Sequence, residues 1–271
     1  MRITSACRVT SLLAIPFTAL LAQGRPSTDI WTAPLDGRGV PHVGRAVNLT
    51  RRTGYDNQPS FTPDGLAILY TVIDNDGPSD IWRIDLRTLA RTRVTTSDVE
   101  SEYSATPMPD GAHFSSVRVE ADSAQRLWKF ALRGGETPTV LLEKIKPVGY
   151  HVWISDATLG LYVLGSPATL QIADVRLGTA EVVASNIGRA LQKIPGRSAI
   201  SYQQLGKDGP WITEFDVVTR QSKAIAPSPD KADYHVWTSS GVLLTASGSR
   251  ILAWVNGRWD VVADLAADAS P

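Results

Sequence analysis

Cysteine is all but absent, with Cys7 the single one among 271 residues. One thiol cannot build a disulfide framework, and no cysteine pair at zinc-ligand spacing exists. Long apolar runs are equally scarce. The clearest, Leu12-Leu-Ala-Ile-Pro-Phe-Thr-Ala-Leu-Leu-Ala22, is shorter than the roughly 20 residues that a membrane-spanning helix needs. Charge bias is missing too. Lys and Arg number 27 against 27 Asp and Glu, with no basic cluster or stripe, which argues against nucleic acid as a partner. Gly-x-Ser-x-Gly, His-Glu-x-x-His and phosphate-cradling glycine loops are also lacking, so no strong catalytic signature stands in the chain.

The apolar stretch follows Arg2 and Arg8 and gives way to the polar Gln23-Gly-Arg-Pro, the pattern of a secretory signal over residues 1–22. Cys7 lies upstream of the apolar run, where it does not read as a lipid-attachment site. Loss of the signal removes two arginines and leaves a formal charge of about −2. The remainder, 23–271, contains no linker-like or low-complexity break and reads as one domain, expected to be soluble and periplasmic or secreted.

What the chain does contain is a repeat. A unit of about 40 to 50 residues, built from short apolar stretches and Pro/Gly turns, recurs five times, as expected of β-propeller blades. The clearest copy is Pro59-Ser-Phe-Thr-Pro-Asp-Gly65, then Leu66-Ala-Ile-Leu-Tyr70, then Asp80-Ile-Trp-Arg-Ile-Asp85. Each copy supplies four strands, A to D, from the channel outward. In the first these are 59–62, 66–72, 80–86 and 91–95. In the turn, Pro presets φ, Asp caps and Gly accepts positive φ. Ahead of the first copy stands only a C–D pair, 29–34 and 45–50. The expected fold is therefore all-β, a six-bladed propeller with one incomplete blade; the alternative is five blades plus an extra hairpin. Trp31, Trp82 and Trp128 recur at one place in strand C, which suits packing between blades better than ligand stacking.

The string Gln58-Pro-Ser-Phe-Thr-Pro-Asp-Gly65, preceded by Asn48-Leu-Thr50 and followed by Ile68-Leu-Tyr70 and Asp80-Ile-Trp82, resembles the TolB-type, WD-like propeller repeat. Phe61 stands where that repeat carries Trp, and the later copies lose Pro-Asp-Gly. The resemblance implies a six-bladed ring, an exported location and a protein-binding role in the bacterial envelope. Such repeats also occur in lyases and hydrolases and beside peptidase domains. There is no room here for the domain that precedes the propeller in TolB.

Loops entering the A strands crowd one end of a propeller channel, the default site. Those positions hold Asp56, Glu102, Tyr150 with His151, Arg189, and Asp233 with Tyr234 and His235, while Lys193 lies further along the fourth A strand. Tyr-His-Val-Trp occurs twice, at 150–153 and 234–237. Strand alternation puts His and Trp on one face and Tyr and Val on the other. Two readings follow. Either His151 and His235 face the channel and, with Arg189 and Lys193, form a cationic mouth for a carboxylate or other anion, or each copy is blade packing. Asp56, Glu102 and Asp233 are the carboxylates that would pair with those cations. Asp74-Asn-Asp-Gly-Pro-Ser-Asp80 looks like the start of a calcium loop but lacks its terminal Glu. No metal or cofactor is expected. The function expected is binding of an envelope protein or peptide; the alternative is a propeller lyase or hydrolase acting on a small or carbohydrate substrate through His151 or His235 and Arg189.

Overall fold

Alternating apolar stretches of six or seven residues, separated by turn residues, fold as antiparallel meanders. The computed structural model describes residues 27–37, 40–74 and 77–266; the expected signal, 1–22, lies outside the described residues. The chain opens with β1 (Trp31–Thr32), β2 (Leu35–Asp36), β3 (His42–Val43) and β4 (Val47–Asn48), in which β1 pairs with β4 and β2 with β3. Five four-stranded blades follow. Blade 1 is β5 (Tyr55–Phe61), β6 (Ala67–Ile73), β7 (Ser79–Asp85) and β8 (Arg91–Arg93). Blade 2 is β9 (Ser101–Pro107), β10 (His113–Val119), β11 (Gln125–Ala131) and β12 (Thr139–Val140). Blade 3 is β13 (Val148–Trp153), β14 (Thr158–Val163), β15 (Thr169–Asp174) and β16 (Thr179–Ser185). Blade 4 is β17 (Ile187–Lys193), β18 (Ala199–Gln204), β19 (Trp211–Asp216) and β20 (Gln221–Pro227), and blade 5 is β21 (His235–Trp237), β22 (Leu243–Ser247), β23 (Arg250–Val255) and β24 (Arg258–Asp264).

The ring thus has five blades, not the six expected, and the five-blade alternative holds. The sixth position carries only the outer pair β1–β4 and the small β2–β3 hairpin, because no described residue supplies its A and B strands. Each blade is one continuous stretch of chain, so no sheet mixes strands from the two ends of the described sequence. A single parallel bridge, Thr28 to Tyr55, ties the first residues to blade 1.

The repeat residues explain the local structure. In the first turn, Asp64 Oδ1 accepts hydrogen bonds from the Thr62 hydroxyl at 2.6 Å and the Leu66 amide at 3.0 Å, while Gly65 takes φ +68°. Ser155 fills the degraded third turn, its hydroxyl accepting from the Thr158 amide at 3.2 Å. Strand A begins earlier than the pattern suggested, at Tyr55 in blade 1, and is bulged between Asn57 and Ser60 with Gln58 at φ 55°. The bulge admits Pro59, which has no N–H to donate to the ladder. Strands C and D are joined by a recurring lock: the Thr50 hydroxyl donates to Asp29 at 2.8 Å and accepts from the Ile30 amide at 3.0 Å, and Thr95 does the same for Asp80 and Ile81 at 3.3 and 2.9 Å.

Core residues collect in the seams between neighbouring blades. Ile30, Leu49, Ile68, Tyr70 and Ile84 fill the seam between the β1–β4 pair and blade 1. Leu69, Ile81 and Phe114 fill the next, and Leu127, Leu142, Leu159 and Leu161 the seam of blades 2 and 3. Ile172, Leu191 and Ile200 join blades 3 and 4, and Ile212, Ala226 and Leu243 blades 4 and 5. Trp82 and Trp128 pack into these clusters, whereas Trp31 is 40% exposed. Among the described residues no such cluster joins blade 5 to the β1–β4 pair; contact there runs through β3 and β24.

Candidate functional site

Blade-to-blade equivalence is fixed by a hydrogen bond that closes every A–B turn. The donors are the amides of Thr62, Met108, Ile154, Ile194 and Thr238, each to a carbonyl four or five residues on, at 2.9 to 3.0 Å. Counting back four residues aligns Tyr150 and Tyr234 with Ala190 of blade 4. The small Ala190 lies between two blades that carry tyrosine, and Arg189 stands one residue before it.

At this end the hydroxyls of Tyr150 and Tyr234 approach within 3.4 Å, although they belong to blades 3 and 5. The exposed Arg189 of the blade between them interacts with both. Its pKa is raised above the ordinary arginine value chiefly by Tyr234, against an opposing cost of partial burial, with Tyr150 adding to the rise. Burial, then Tyr150, pushes the Tyr234 phenol upward, with Arg189 acting in the opposite sense. Tyr234 therefore stays a neutral donor at physiological pH. Among the described residues no carboxylate lies within ion-pair distance of Arg189, and three polar side chains from three successive blades converge there. The Tyr150 ring rests edge-on against Tyr162 at 6.0 Å.

The two histidines of the repeated Tyr-His-Val-Trp are not in this cluster. His151 is 7% exposed and its Nε2 lies 2.6 Å from the Ser115 hydroxyl, to which Trp153 Nε1 also donates at 2.9 Å. Blade 5 repeats the arrangement: His235 Nε2 is 2.7 Å from the Ser201 hydroxyl, and Trp237 Nε1 donates to that hydroxyl at 2.8 Å. The indole N–H can only donate, so each serine oxygen accepts from its tryptophan, and its hydroxyl also reaches a backbone carbonyl of its own blade, Thr106 at 3.3 Å for Ser115 and Gln192 at 3.5 Å for Ser201. Each His/Trp pair thus grips the serine of the preceding blade's B strand. Burial pushes the His151 pKa down to about 3 and that of His235 to about 4, the latter against an opposing hydrogen bond with the Ser201 backbone. Both imidazoles are neutral at pH 7.

The remaining candidates divide in the same way. Lys193 lies four residues beyond Arg189 on β17, about 13 Å along the strand, and its ammonium donates to the Ile154 carbonyl of blade 3. Asp56, its side chain fully buried, is held by the Arg52 fork, with Nη2 to Oδ1 at 2.6 Å, and Arg52 also pairs with Asp74. Glu102 is fully buried against Arg118, with Oε1 2.8 Å from Nε; burial raises its pKa against the pull of Arg118. Asp233 is exposed beside Tyr234. The structure therefore brings together Tyr150, Arg189 and Tyr234, and places His151, His235, Lys193, Asp56 and Glu102 in packing or ion-pair roles. Of the polar loop 74–80, Asp74 and Asp80 are paired with Arg52 and Arg93, and the described residues contain no cluster of three His, Cys, Asp or Glu arranged to hold a metal.

Ser115 and Ser201 escaped the sequence reading. Their signal is coupled: a serine stands in strand B 36 and 34 residues before the two repeat histidines. The blade preceding Leu191, the residue aligned with these histidines, has Gly160 at that place instead.

Five radial four-stranded antiparallel sheets, packed seam to seam, define a β-propeller. Among solved structures, TolB from Acinetobacter baumannii is similar at 18% identity and a TM-score of 0.59, over 74% of this chain and 55% of that one. A protein assigned as TolB from Agrobacterium tumefaciens matches at 15% identity and a TM-score of 0.65, over 81% of this chain and 84% of that one. An oligogalacturonate lyase solved with manganese matches at 18% identity and a TM-score of 0.59, over 81% of this chain and 68% of that one. The chain thus spans little more than half the length of the Acinetobacter protein. No protein-family model and no curated protein matches the sequence. At these identities the likeness concerns the fold. No helix of the described residues is long and apolar enough to cross a membrane.

Proposed function

We propose that this chain is an exported propeller that binds a protein or peptide of the cell envelope through the end of the ring where the A strands begin. The observation that carries this reading is the convergence of Tyr150, Arg189 and Tyr234 from three blades, with the guanidinium lacking a carboxylate partner among the described residues. Tyrosine and arginine are among the side chains that most often anchor protein interfaces, since they offer large contact area and directed hydrogen bonds. The TolB-like neighbours support the same reading at the level of fold.

A second reading, turnover of an acidic saccharide, draws on the oligogalacturonate lyase neighbour and on the same cationic mouth. Against it stand the two histidines, sealed in seams with pKa values far below those that suit acid/base work near neutrality. The test is crosslinking and capture from the native envelope fraction, with wild type beside Arg189→Ala and Tyr234→Phe. A specific partner lost in Arg189→Ala supports the binding reading. Equal capture by all three, or none by any, would sink it.

A further inference from the structure

The repeated Tyr-His-Val-Trp has two outputs of opposite direction. His and Trp reach back to grip a serine of the preceding blade, and the tyrosine immediately before the histidine carries its hydroxyl over blade 4. The copies flank the one blade that has Ala190 at the tyrosine position and Arg189 beside it. Serine in strand B is found in the two blades that precede a copy, 2 and 4, whereas blades 1 and 3 carry Leu69 and Gly160 there. Packing alone does not require this coupling, because the seam of blades 3 and 4 is filled by apolar side chains, Leu191 and Ile200 among them. The serine, histidine, tryptophan and tyrosine thus occur as a set, twice, on either side of the same arginine.

We propose that Tyr150, Arg189 and Tyr234 receive a single carboxylate, and that Ser115, His151 and Trp153, with Ser201, His235 and Trp237, are positioning residues that aim the two tyrosines at it. This rests on the binding site of the preceding section and names its ligand class. A carboxylate matches the site in charge and valence. One guanidinium offers one positive charge and a planar fork for two oxygens, and two neutral hydroxyls satisfy the outer lone pairs. A phosphate dianion would leave a charge uncompensated. Each clamp fixes the backbone one residue from its tyrosine: His235 is locked to Ser201, and the Tyr234 carbonyl also accepts from Thr245 Oγ1 at 2.5 Å. Blade 3 holds Tyr150 through His151 and the Tyr162 ring.

The experiment follows the Arg189 Nε–H resonance of the purified full chain, assigned with Arg189→Lys, during titration with sodium acetate against sodium chloride at equal ionic strength. A saturable shift with acetate alone is the expected result. No response, or an equal response to chloride, overturns the proposal. N-acetylglutamate α-amide and N-acetylglutamine then separate a side-chain carboxylate from a chain-terminal one, and binding of either supports the assignment. Inorganic phosphate binding more tightly than acetate overturns the carboxylate class. Positioning is tested by Ser201→Ala and His235→Leu, each expected to weaken acetate about fivefold through the misplaced hydroxyl. His235→Gln, which keeps a hydrogen-bonding group for Ser201, should restore affinity to within about twofold. Ile81→Ala, in the seam of blades 1 and 2, serves as a variant of comparable thermal loss. If it weakens acetate as much as Ser201→Ala, the clamps are merely structural. Acetate binding needs no partner protein, so its absence sinks this inference whatever the capture experiment returns. Acetate binding with no captured partner leaves the inference standing and sinks the envelope reading.

Discussion

At the scale of single residues, the same side-chain type serves opposite electrostatic ends according to its neighbours. His151 and His235 are depressed by burial, whereas His113 is raised above 6.5, first by Glu136, 3.1 Å from Nε2, and then by Asp110, 2.8 Å from Nδ1. A depressed histidine takes up its proton more readily when unfolded. Its contribution is therefore complete above the ordinary value of 6.5 and lost as pH falls toward about 4 and then about 3. Thermal midpoints should accordingly drop on acidification below pH 6.5, and His235→Gln should flatten that slope. His113 has the reverse sign: its stabilisation is full below 6.5 and disappears as pH rises through its raised value. His113→Gln should thus lower the midpoint more at pH 5.5 than at pH 9, as scanning calorimetry can check. The Tyr-His-Val-Trp repeat was legible as the most specific local signal after the Pro-Asp-Gly turn, and His and Trp do share one face, as alternation suggested. What alternation cannot give is the direction of that face. Whether a strand face meets the channel or the blade behind it depends on the neighbouring blade's register, and the partners Ser115 and Ser201 lie more than thirty residues away.

At the scale of the blade, the turns and seams carry distinct energies. Gly65 has φ +68° and nothing near the place of a Cβ, so Gly65→Ala should cost about 1 kcal/mol through backbone conformation alone, and Gly111, at φ +70°, should behave alike. Denaturant midpoints of the two variants measure this directly. Leu142, fully buried where blades 2 and 3 meet, should cost about 2–5 kcal/mol as Leu142→Ala. Ser115→Ala leaves the Nε2 of His151 and the indole N–H of Trp153 without their partner, a loss of about 2–4 kcal/mol by the cost of stranding buried polar groups. The repeat announced the blades because Pro-Asp-Gly stands at 63–65 and again at 109–111, and Asp-Ile-Trp at 29–31 and again at 80–82, spacings that match one blade. Strand A was placed too late in blade 1 because Pro59 reads as a strand start, and the bulge that tolerates it is invisible to a period-two pattern.

At the scale of the whole molecule, the five blades were legible and the closure was not, since the half unit at 29–50 has the sequence of outer strands without saying what lies inside them. The β1–β4 and β2–β3 pairs have two residues per strand and few ladder bonds, so their amides should exchange with deuterium well before those of β6 or β10 in native-state hydrogen exchange. Protection at Val47 equal to that at Leu69 would contradict this. The last seam has a mechanical meaning. In every other joint a filled apolar cluster holds two blades together, while among the described residues blade 5 meets the outer hairpin chiefly where β24 approaches β3. No sheet of the described residues bridges that joint, so the ring is built like a split collar and not a welded hoop. Among the described residues, none of the five four-stranded ladders crosses it. Blade 5, which carries Tyr234, thus stands at the one joint of the described ring that no apolar cluster fills.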